Sequence, residues 1–229
     1  MTGTEDKRCV LLLVLAGAVF WAGAAWAYDD PYSPGGSTLL DLGRYRTPFE
    51  YADGDHVAHV GRYGVAFFQP IADDFDFSLQ GGYLTLDVDG EPPTTPLDFT
   101  GRYLGLGARY ESTQGNYLNF SAEATYTWHD VDASGVNTQS NVTFYEGWSA
   151  FGPVLRWQRW RFSFGGYLQT ITGTETDGSG LNSRRDFSAG RSGGAYAGFA
   201  FYLDETGSIG VYATSGARQG LKLVFKREF

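Results

Sequence analysis

The chain has 229 residues, enough for one domain of ordinary size, and its 17 Lys and Arg against 26 Asp and Glu give a formal charge of −9. A nucleic-acid partner is not expected, because phosphate binding needs a clustered basic face and the basic side chains here are outnumbered and scattered. A disordered chain is excluded, because aromatic residues make up 17% of the sequence and would leave too much apolar surface in water.

Residues 1–27 differ in pattern from the rest of the chain. A basic start is followed by an apolar run over 9–24 and by the small-x-small sequence of residues 25–27. This is the pattern of a cleaved signal peptide, so we expect export of the chain and cleavage after residue 27. The alternative is a retained membrane anchor, because the apolar run with its flank is just long enough to span a bilayer.

The single Cys of the sequence, Cys9, lies within this first segment. The exported chain would therefore have no disulfide, no thiolate nucleophile and no Cys-ligated metal. We expect no cofactor and no metal site. His56 and His59 are three residues apart and lie on opposite faces of a predicted strand, so they make a poor metal pair.

Apolar and polar residues alternate through most of the remaining sequence. The pattern is clearest over 118–129, and it is typical of a strand with one apolar face and one polar face. Residues 28–36 are predicted to form an N-terminal tail, and residues 37–229 a β-domain of ten strands, or of eight if the N-terminal pair is peripheral. The ten predicted strands are 37–45, 56–69, 75–88, 99–111, 117–130, 143–157, 160–174, 192–203, 208–214 and 219–229.

The predicted connections alternate between short and long. The short ones are 70–74, 112–116, 158–159 and 204–207, and the longer ones are 46–55, 89–98, 131–142 and 175–191. An even number of strands, with tight turns at one end and loops at the other, is the organisation of a transmembrane antiparallel up-and-down β-barrel.

The positions of aromatic and charged residues predict which strand face points outward. Aromatic residues lie near both ends of the predicted strands, as in the two girdles of a membrane barrel. The polar face would then line a narrow lumen filled by side chains. The apolar residues change from odd to even positions at Gly81-Gly82, which predicts a β-bulge in the third strand; the alternative is that the strand ends there. The predicted polar network of the lumen is Arg62, Asp76, Arg109, Glu123, Glu146 and Arg156.

The last strand carries a more specific pattern. Leu221, Leu223, Phe225 and Phe229 share one face, and an aromatic residue comes last. This end resembles the C-terminal strand of Gram-negative outer-membrane β-barrel proteins, of the small OmpA/OmpX-like class in general. Arg227 departs from the pattern, which usually has an aromatic or apolar residue there. The resemblance implies an outer-membrane location in a Gram-negative bacterium.

The same resemblance implies partners. Outer-membrane lipids and lipopolysaccharide would surround the barrel, and the outer-membrane assembly machinery would read Phe225 and Phe229. Arg184, Arg185 and Arg191, in a predicted loop, are candidates to meet lipopolysaccharide phosphates. A partner protein of the cell envelope is possible, but the sequence identifies none.

Three functions are compatible with this pattern. The favoured one is a structural or surface-interaction role. The first alternative is an enzyme acting on lipid A or peptides at the extracellular rim. Its candidate catalytic residues are Asp87, Asp89, His129 and Asp130, because carboxylates beside a His can orient and activate water. The second alternative is a narrow channel, or an accessory barrel for polysaccharide export.

Overall fold

The computed structural model describes residues 35–89, 99–112, 117–134, 139–177, 183–190 and 192–229. The predicted signal peptide, and the predicted tail up to residue 34, lie outside the described residues. In the described part of the chain, no helix has the length and apolar character needed to cross a membrane.

Almost all of the described chain is β-strand. Side chains alternate between the two faces of each strand, as the pleat requires. The strands are β1 (Ser37–Tyr51), β2 (Gly54–Ala72), β3 (Phe75–Val88), β4 (Phe99–Glu111), β5 (Leu118–Ser134), β6 (Gln139–Trp157), β7 (Trp160–Asp177), β8 (Ser183–Ala189), β9 (Gly193–Tyr202), β10 (Gly207–Gly216) and β11 (Gln219–Glu228).

Ten of these strands form a closed antiparallel ring. They pair in the order β1-β2-β3-β4-β5-β6-β7-β9-β10-β11, and β11 returns to β1 through ten residue pairs. Closure pairs the edges that an open sheet would expose. The prediction of an all-β, antiparallel, up-and-down barrel of ten strands is confirmed. The eight-strand alternative is wrong, because β1 and β2 are full members of the ring.

The two ends of the ring differ. The connections after β2, β4, β6 and β9 lie at one end, together with Ser37 and Glu228, and we call it the short-turn end. The opposite end is called the loop end. Strands extend farther toward the loop end than the sequence predicts, into the predicted connections 46–55 and 131–142.

The predicted loop 175–191 is wrong, because it contains β8. This strand forms six residue pairs with β7 and three with β1. The ring therefore has ten strands at the short-turn end and eight at the loop end, where β8 takes the place of β9, β10 and β11. The side chain of Phe187 explains why this segment docks, since it enters the interior and is buried.

The strand β1 changes partner from β11 to β8 at Thr47 and Pro48. Pro48 has no N–H to donate, so the ladder breaks there without leaving a donor unpaired. Its carbonyl accepts a hydrogen bond from Gly190 N (3.3 Å). Beside it, Thr47 Oγ1 donates to Ala217 O and accepts from Gln169 Nε2, each at 3.1 Å. These bonds join the strand ends where the ten-strand and eight-strand parts of the ring meet.

The outer surface carries a band of exposed apolar side chains, here called the belt. On β6 the belt runs from Tyr145 to Trp157, a longer stretch than the roughly 9–11 residues that a tilted strand needs to cross a bilayer. Its large members are Tyr63, Phe67, Phe75, Phe77, Leu79, Leu104, Leu106, Tyr110, Tyr117, Leu118, Phe120, Tyr126, Tyr145, Phe151, Leu155, Trp157, Phe162, Phe164, Leu168, Phe199, Val211 and Leu221.

Toward the loop end the two faces exchange their character. In β3, Phe77 and Leu79 are exposed on the outside, whereas Leu84 and Leu86 are fully buried inside. The predicted bulge at Gly81-Gly82 is wrong, because the pairing of β3 with β2 and with β4 continues through these residues without a shift. The parity change in the sequence has another cause. It marks the height at which the apolar face turns from the outside of the barrel to its interior.

The inward apolar side chains at the loop end form a packed cluster, here called the plug. The Phe49 ring stacks on Phe187 at 4.5 Å between centroids and meets the edge of Phe144 at 5.8 Å. The plug resembles the core of a soluble barrel. Its buried members are Tyr45, Phe49, Tyr51, Ala58, Val60, Leu84, Leu86, Phe99, Tyr103, Val131, Ala133, Val142, Phe144, Ile171 and Phe187.

We predict that Phe144→Ala lowers the free energy of unfolding by about 3–5 kcal/mol, because it leaves a cavity in a packed core. The control is Phe151→Ala, which removes an exposed ring from the belt. Urea unfolding in one detergent, followed by tryptophan fluorescence, measures both changes. Equal losses for the two variants would contradict the assignment of Phe144 to a packed core.

Candidate functional site

The lumen opens at the short-turn end and stops at the plug. Residues of three turns, 73–74, 158–159 and 204–206, line a vestibule of about 1040 Å³ at the opening. Deeper in the barrel lies an inner cavity of about 160 Å³, which reaches Tyr45 and Glu146 below the plug. The two spaces adjoin and share five lining residues. These are Leu39, Arg109, Arg161, Tyr212 and Val224.

Ion pairs line the vestibule. Glu111 accepts hydrogen bonds from Arg156 Nη2 (2.6 Å) and Arg161 Nη2 (2.9 Å). Arg109 Nε donates to Asp76 Oδ2 (3.0 Å), and the same carboxylate oxygen accepts a second bond from Arg109 Nη2. Such charge-assisted pairs offset the cost of removing charges from bulk water.

The structure places all six residues of the predicted lumen network on inward-facing positions. Arg62 lies 3.7 Å from Asp41 and donates to Gln80 at 2.7 Å. Arg109 and Glu123 are register partners on β4 and β5, but the Arg109 guanidinium pairs with Asp76 instead. The network is thus split into separate pairs.

Glu146 lies at the inner end of the lumen with 2% of its side chain exposed. Arg218 Nη1 donates to its Oε1 at 3.0 Å, and the Tyr45 hydroxyl donates to Oε2 at 3.4 Å. The Arg218 guanidinium also covers the Tyr45 ring at 3.5 Å. His129 Nε2 also lies 3.4 Å from Oε2 of this carboxylate. This cluster separates the polar lumen from the plug.

Sequence reasoning missed Arg218. The residue lies in the turn between β10 and β11, where the alternation of apolar and polar residues no longer indicates which side chains point inward. Gly216, the last residue of β10, has a φ of 103°. The adjacent Ala217 is buried, and Tyr167 Oη accepts a hydrogen bond from Arg218 N (2.6 Å). Nothing in the sequence points to an arginine that folds back into the barrel.

The structure does not bring the four candidate catalytic residues together. His129 is fully buried inside the barrel and stacks on Phe144 at 4.1 Å. Asp130 faces outward and accepts a hydrogen bond from Asn141 Nδ2 (3.1 Å). Asp87 is exposed on the outer face.

The fourth candidate, Asp89, follows the end of β3 and lies 3.0 Å from His59 Nε2. His56 faces the interior and packs edge-on against Tyr51, so the two histidines do lie on opposite faces. In the described part of the chain, no group of three or more His, Cys, Asp or Glu is arranged to hold a metal ion.

The two residues of the predicted assembly signal lie at the short-turn end. Phe225 faces outward and pairs with Leu40 of β1 and Ile209 of β10. Phe229 N donates to Gly36 O at 2.9 Å. Their role in assembly stays a prediction.

An exposed turn at the vestibule opening is organised by Asp204. Its carboxylate accepts hydrogen bonds from Thr206 N, Thr206 Oγ1 and Gly207 N, at 2.9, 3.0 and 2.6 Å. These bonds, those from Thr206 first, hold the pKa of Asp204 below its usual value. The stabilisation of this turn is therefore present above the ordinary pKa of an aspartate and is lost as the pH falls through the lowered one.

The chain matches no protein-family model and no curated protein sequence. Solved structures with a similar arrangement include Neisserial surface protein A, with 11% identity, a TM-score of 0.44 and coverage of 85% of this chain and 97% of that one. The translocator domain of autotransporter NalP from Neisseria meningitidis has 8% identity and a TM-score of 0.48, covering 97% of this chain and 98% of its own.

The transport unit of autotransporter AIDA-I from Escherichia coli has 12% identity and a TM-score of 0.45, covering 94% of this chain and 97% of its own. At these identities and TM-scores, none of the likenesses carries an argument about function. The architecture of this chain itself defines its class. A closed ring with an apolar belt outside and paired charges inside is a transmembrane β-barrel of the outer-membrane type.

We predict that Glu146→Gln lowers the free energy of unfolding by about 3–5 kcal/mol, because it leaves Arg218, with only 15% of its side chain exposed, without a carboxylate partner. The control is Asp130→Asn, which removes the partner of the exposed Arg102 (3.9 Å) and is expected to cost less than about 1 kcal/mol. Urea titration of both proteins in the same detergent provides the comparison. A loss for Glu146→Gln no larger than that of the control would refute the proposed role of the pair.

Proposed function

We propose that this chain is an integral outer-membrane β-barrel of a Gram-negative bacterium, with a structural or surface-interaction role and without a continuous pore. The belt supports insertion into a bilayer, because a water-soluble barrel has no reason to expose a continuous band of Phe, Leu, Tyr and Trp. The short-turn end then faces the periplasm, and the loop end faces outward.

The plug is the observation that carries the non-channel role. A conducting barrel needs a polar path along its whole length, but Phe49 and Phe144 are essentially unexposed in the eight-strand part of the ring. The smaller circumference at this end allows side chains to fill it. The vestibule and inner cavity therefore form a lumen closed toward the outside.

The buried position of His129 gives little support to an enzyme at the extracellular rim. A general base must reach the proton it removes, either directly or through one water. The His129 ring instead packs against Phe144 inside the barrel. An outward-facing site built from Asp87 and Asp89 would lack this histidine.

Two measurements test the proposed function. We expect the refolded protein to migrate faster on a denaturing gel before boiling than after it, and to show no steady conductance in a planar bilayer. A soluble barrel would contradict membrane insertion by staying monodisperse in buffer without detergent. A steady single-channel current would contradict the closed lumen.

Lipid phosphates are proposed partners of two arginines at the loop-side edge of the belt. Arg44 and Arg46 face outward on β1, and Arg44 is opposite the exposed Leu221 of β11. Among the described residues, Arg44 forms no ion pair, and Arg46 donates to the neutral Gln219 side chain at 2.6 and 3.0 Å.

The arginines predicted to meet phosphates are less available. Arg184 lies 3.3 Å from Asp186, and Arg185 lies 3.0 Å from Glu175. Arg191 lies outside the described residues. Arg44 and Arg46 therefore offer two positive charges that no described carboxylate neutralises, next to apolar side chains that would contact acyl chains.

We predict that the double variant Arg44→Gln/Arg46→Gln loses the increase in unfolding temperature that lipid A gives the wild type in phosphatidylcholine vesicles. The double variant Arg102→Gln/Arg184→Gln, which removes two arginines with carboxylate partners, is expected to keep it. Free inorganic phosphate serves as a separate arm and should give no increase. The same increase in both variants would show that lipid A acts elsewhere on the barrel.

A further inference from the structure

The inner cavity has the features of a ligand site that the structural role does not use. It lies at the closed end of the lumen, and the vestibule adjoins it on the side of the short-turn end. Six charged side chains that line it are already in ion pairs. Asp41 pairs with Arg62 and Glu146 with Arg218, while Arg109 and Arg161 pair with Asp76 and Glu111 of the vestibule.

Two further charges line the same cavity without an ion pair among the described residues. Glu123 extends inward from β5, and Lys222 extends inward from β11. Lys222 Nζ lies 5.5 Å from the centre of the Tyr212 ring, which is a weak contact for an ammonium group. Both side chains are half-buried within the lumen, so a carboxylate and an ammonium without partners are available to a ligand in the cavity.

The ring places these two side chains on opposite sides of the lumen. Four strands lie between β5 and β11 in one direction, and four lie between them in the other. The cavity thus presents a negative group on one wall and a positive group on the facing wall. A molecule with an ammonium at one end and a carboxylate at the other complements both.

Two buried polar atoms on the cavity wall also have no partner in the described structure. Ser163 is only 4% exposed, and its Oγ makes no hydrogen bond. Trp148 Nε1 is equally unpaired. Both residues line the inner cavity. A buried donor or acceptor without a partner is rare in folded proteins, and here two of them belong to residues that line one cavity.

The volume bounds the ligand. A cavity of about 150 Å³ holds one benzene molecule, so about 160 Å³ suits a ligand of roughly six heavy atoms. We propose that the inner cavity binds a small zwitterion of amino-acid size, whose ammonium group pairs with Glu123 and whose carboxylate pairs with Lys222. The ligand enters through the vestibule from the short-turn end.

Isothermal titration calorimetry of the detergent-solubilised barrel tests the site with glycine, β-alanine and γ-aminobutyrate. These probes carry both charges at increasing separations, so at least one should bind. Glycinamide and N-acetylglycine each lack one of the two charges. We expect both to bind roughly ten- to hundredfold more weakly, which is the effect of losing one hydrogen bond between charged groups.

Variants separate this site from general effects on the barrel. Glu123→Gln and Lys222→Met should each weaken binding of the zwitterion by the same factor, whereas Lys226→Met and Glu228→Gln in the vestibule should leave it unchanged. The exchange variant Glu123→Lys/Lys222→Glu should bind the zwitterion again, because the ligand can reverse its direction.

Each outcome has a defined meaning. A heat-modifiable, non-conducting barrel that binds none of the zwitterions would overturn the ligand proposal, leave the proposed function intact and indicate a cavity filled by water. Equal binding of the singly charged analogues would also overturn it. A protein that shows no heat-modifiable form would instead contradict the membrane barrel.

Discussion

Backbone N–H and C=O groups inside a bilayer must find partners within the protein, and the rest of this structure depends on that constraint. The ladder between β1 and β11 meets it by removing both free edges of the sheet. Closure also separates two environments. Side chains that alternate along a strand then point either to hydrocarbon or to an enclosed lumen, so each residue's position decides its surroundings. The belt and the paired lumen charges both follow from the closure of the sheet.

The exchange of faces along the strands follows from the same physics. Where the wall meets lipid, apolar side chains face outward and charges lie inside in pairs such as Arg109 with Asp76. Beyond the belt the wall meets water, so Leu84 and Leu86 turn inward and Asp130 lies outside. Glu146, His129 and Arg218 lie near the change between the two regimes. The barrel therefore has the inside-outside pattern of a membrane protein at the short-turn end and that of a soluble protein core at the loop end.

The alternating pattern predicted the ten-strand ring because each of those strands has one consistently apolar face over the membrane height. The alternating pattern does not predict features that depend on a change of environment or on a distant contact. At Gly81-Gly82, the alternation of apolar and polar residues alone cannot distinguish a bulge from a change of environment. β8 is only seven residues long, and its docking depends on Phe187 reaching Phe49, a contact that no local pattern reveals. Arg218 lies in a turn, where alternation gives no direction.

The change from ten strands to eight explains why the lumen is closed at one end. A ring of ten strands leaves space between its walls, whereas one of eight can be filled by side chains. β8 makes this change possible by pairing with both β7 and β1 above the turn between β10 and β11. The turn between β10 and β11 places Arg218 under the plug, where Glu146 neutralises it. Because the same elements close the outer end and define the inner cavity, any small molecule that reaches the cavity has to come from the short-turn end.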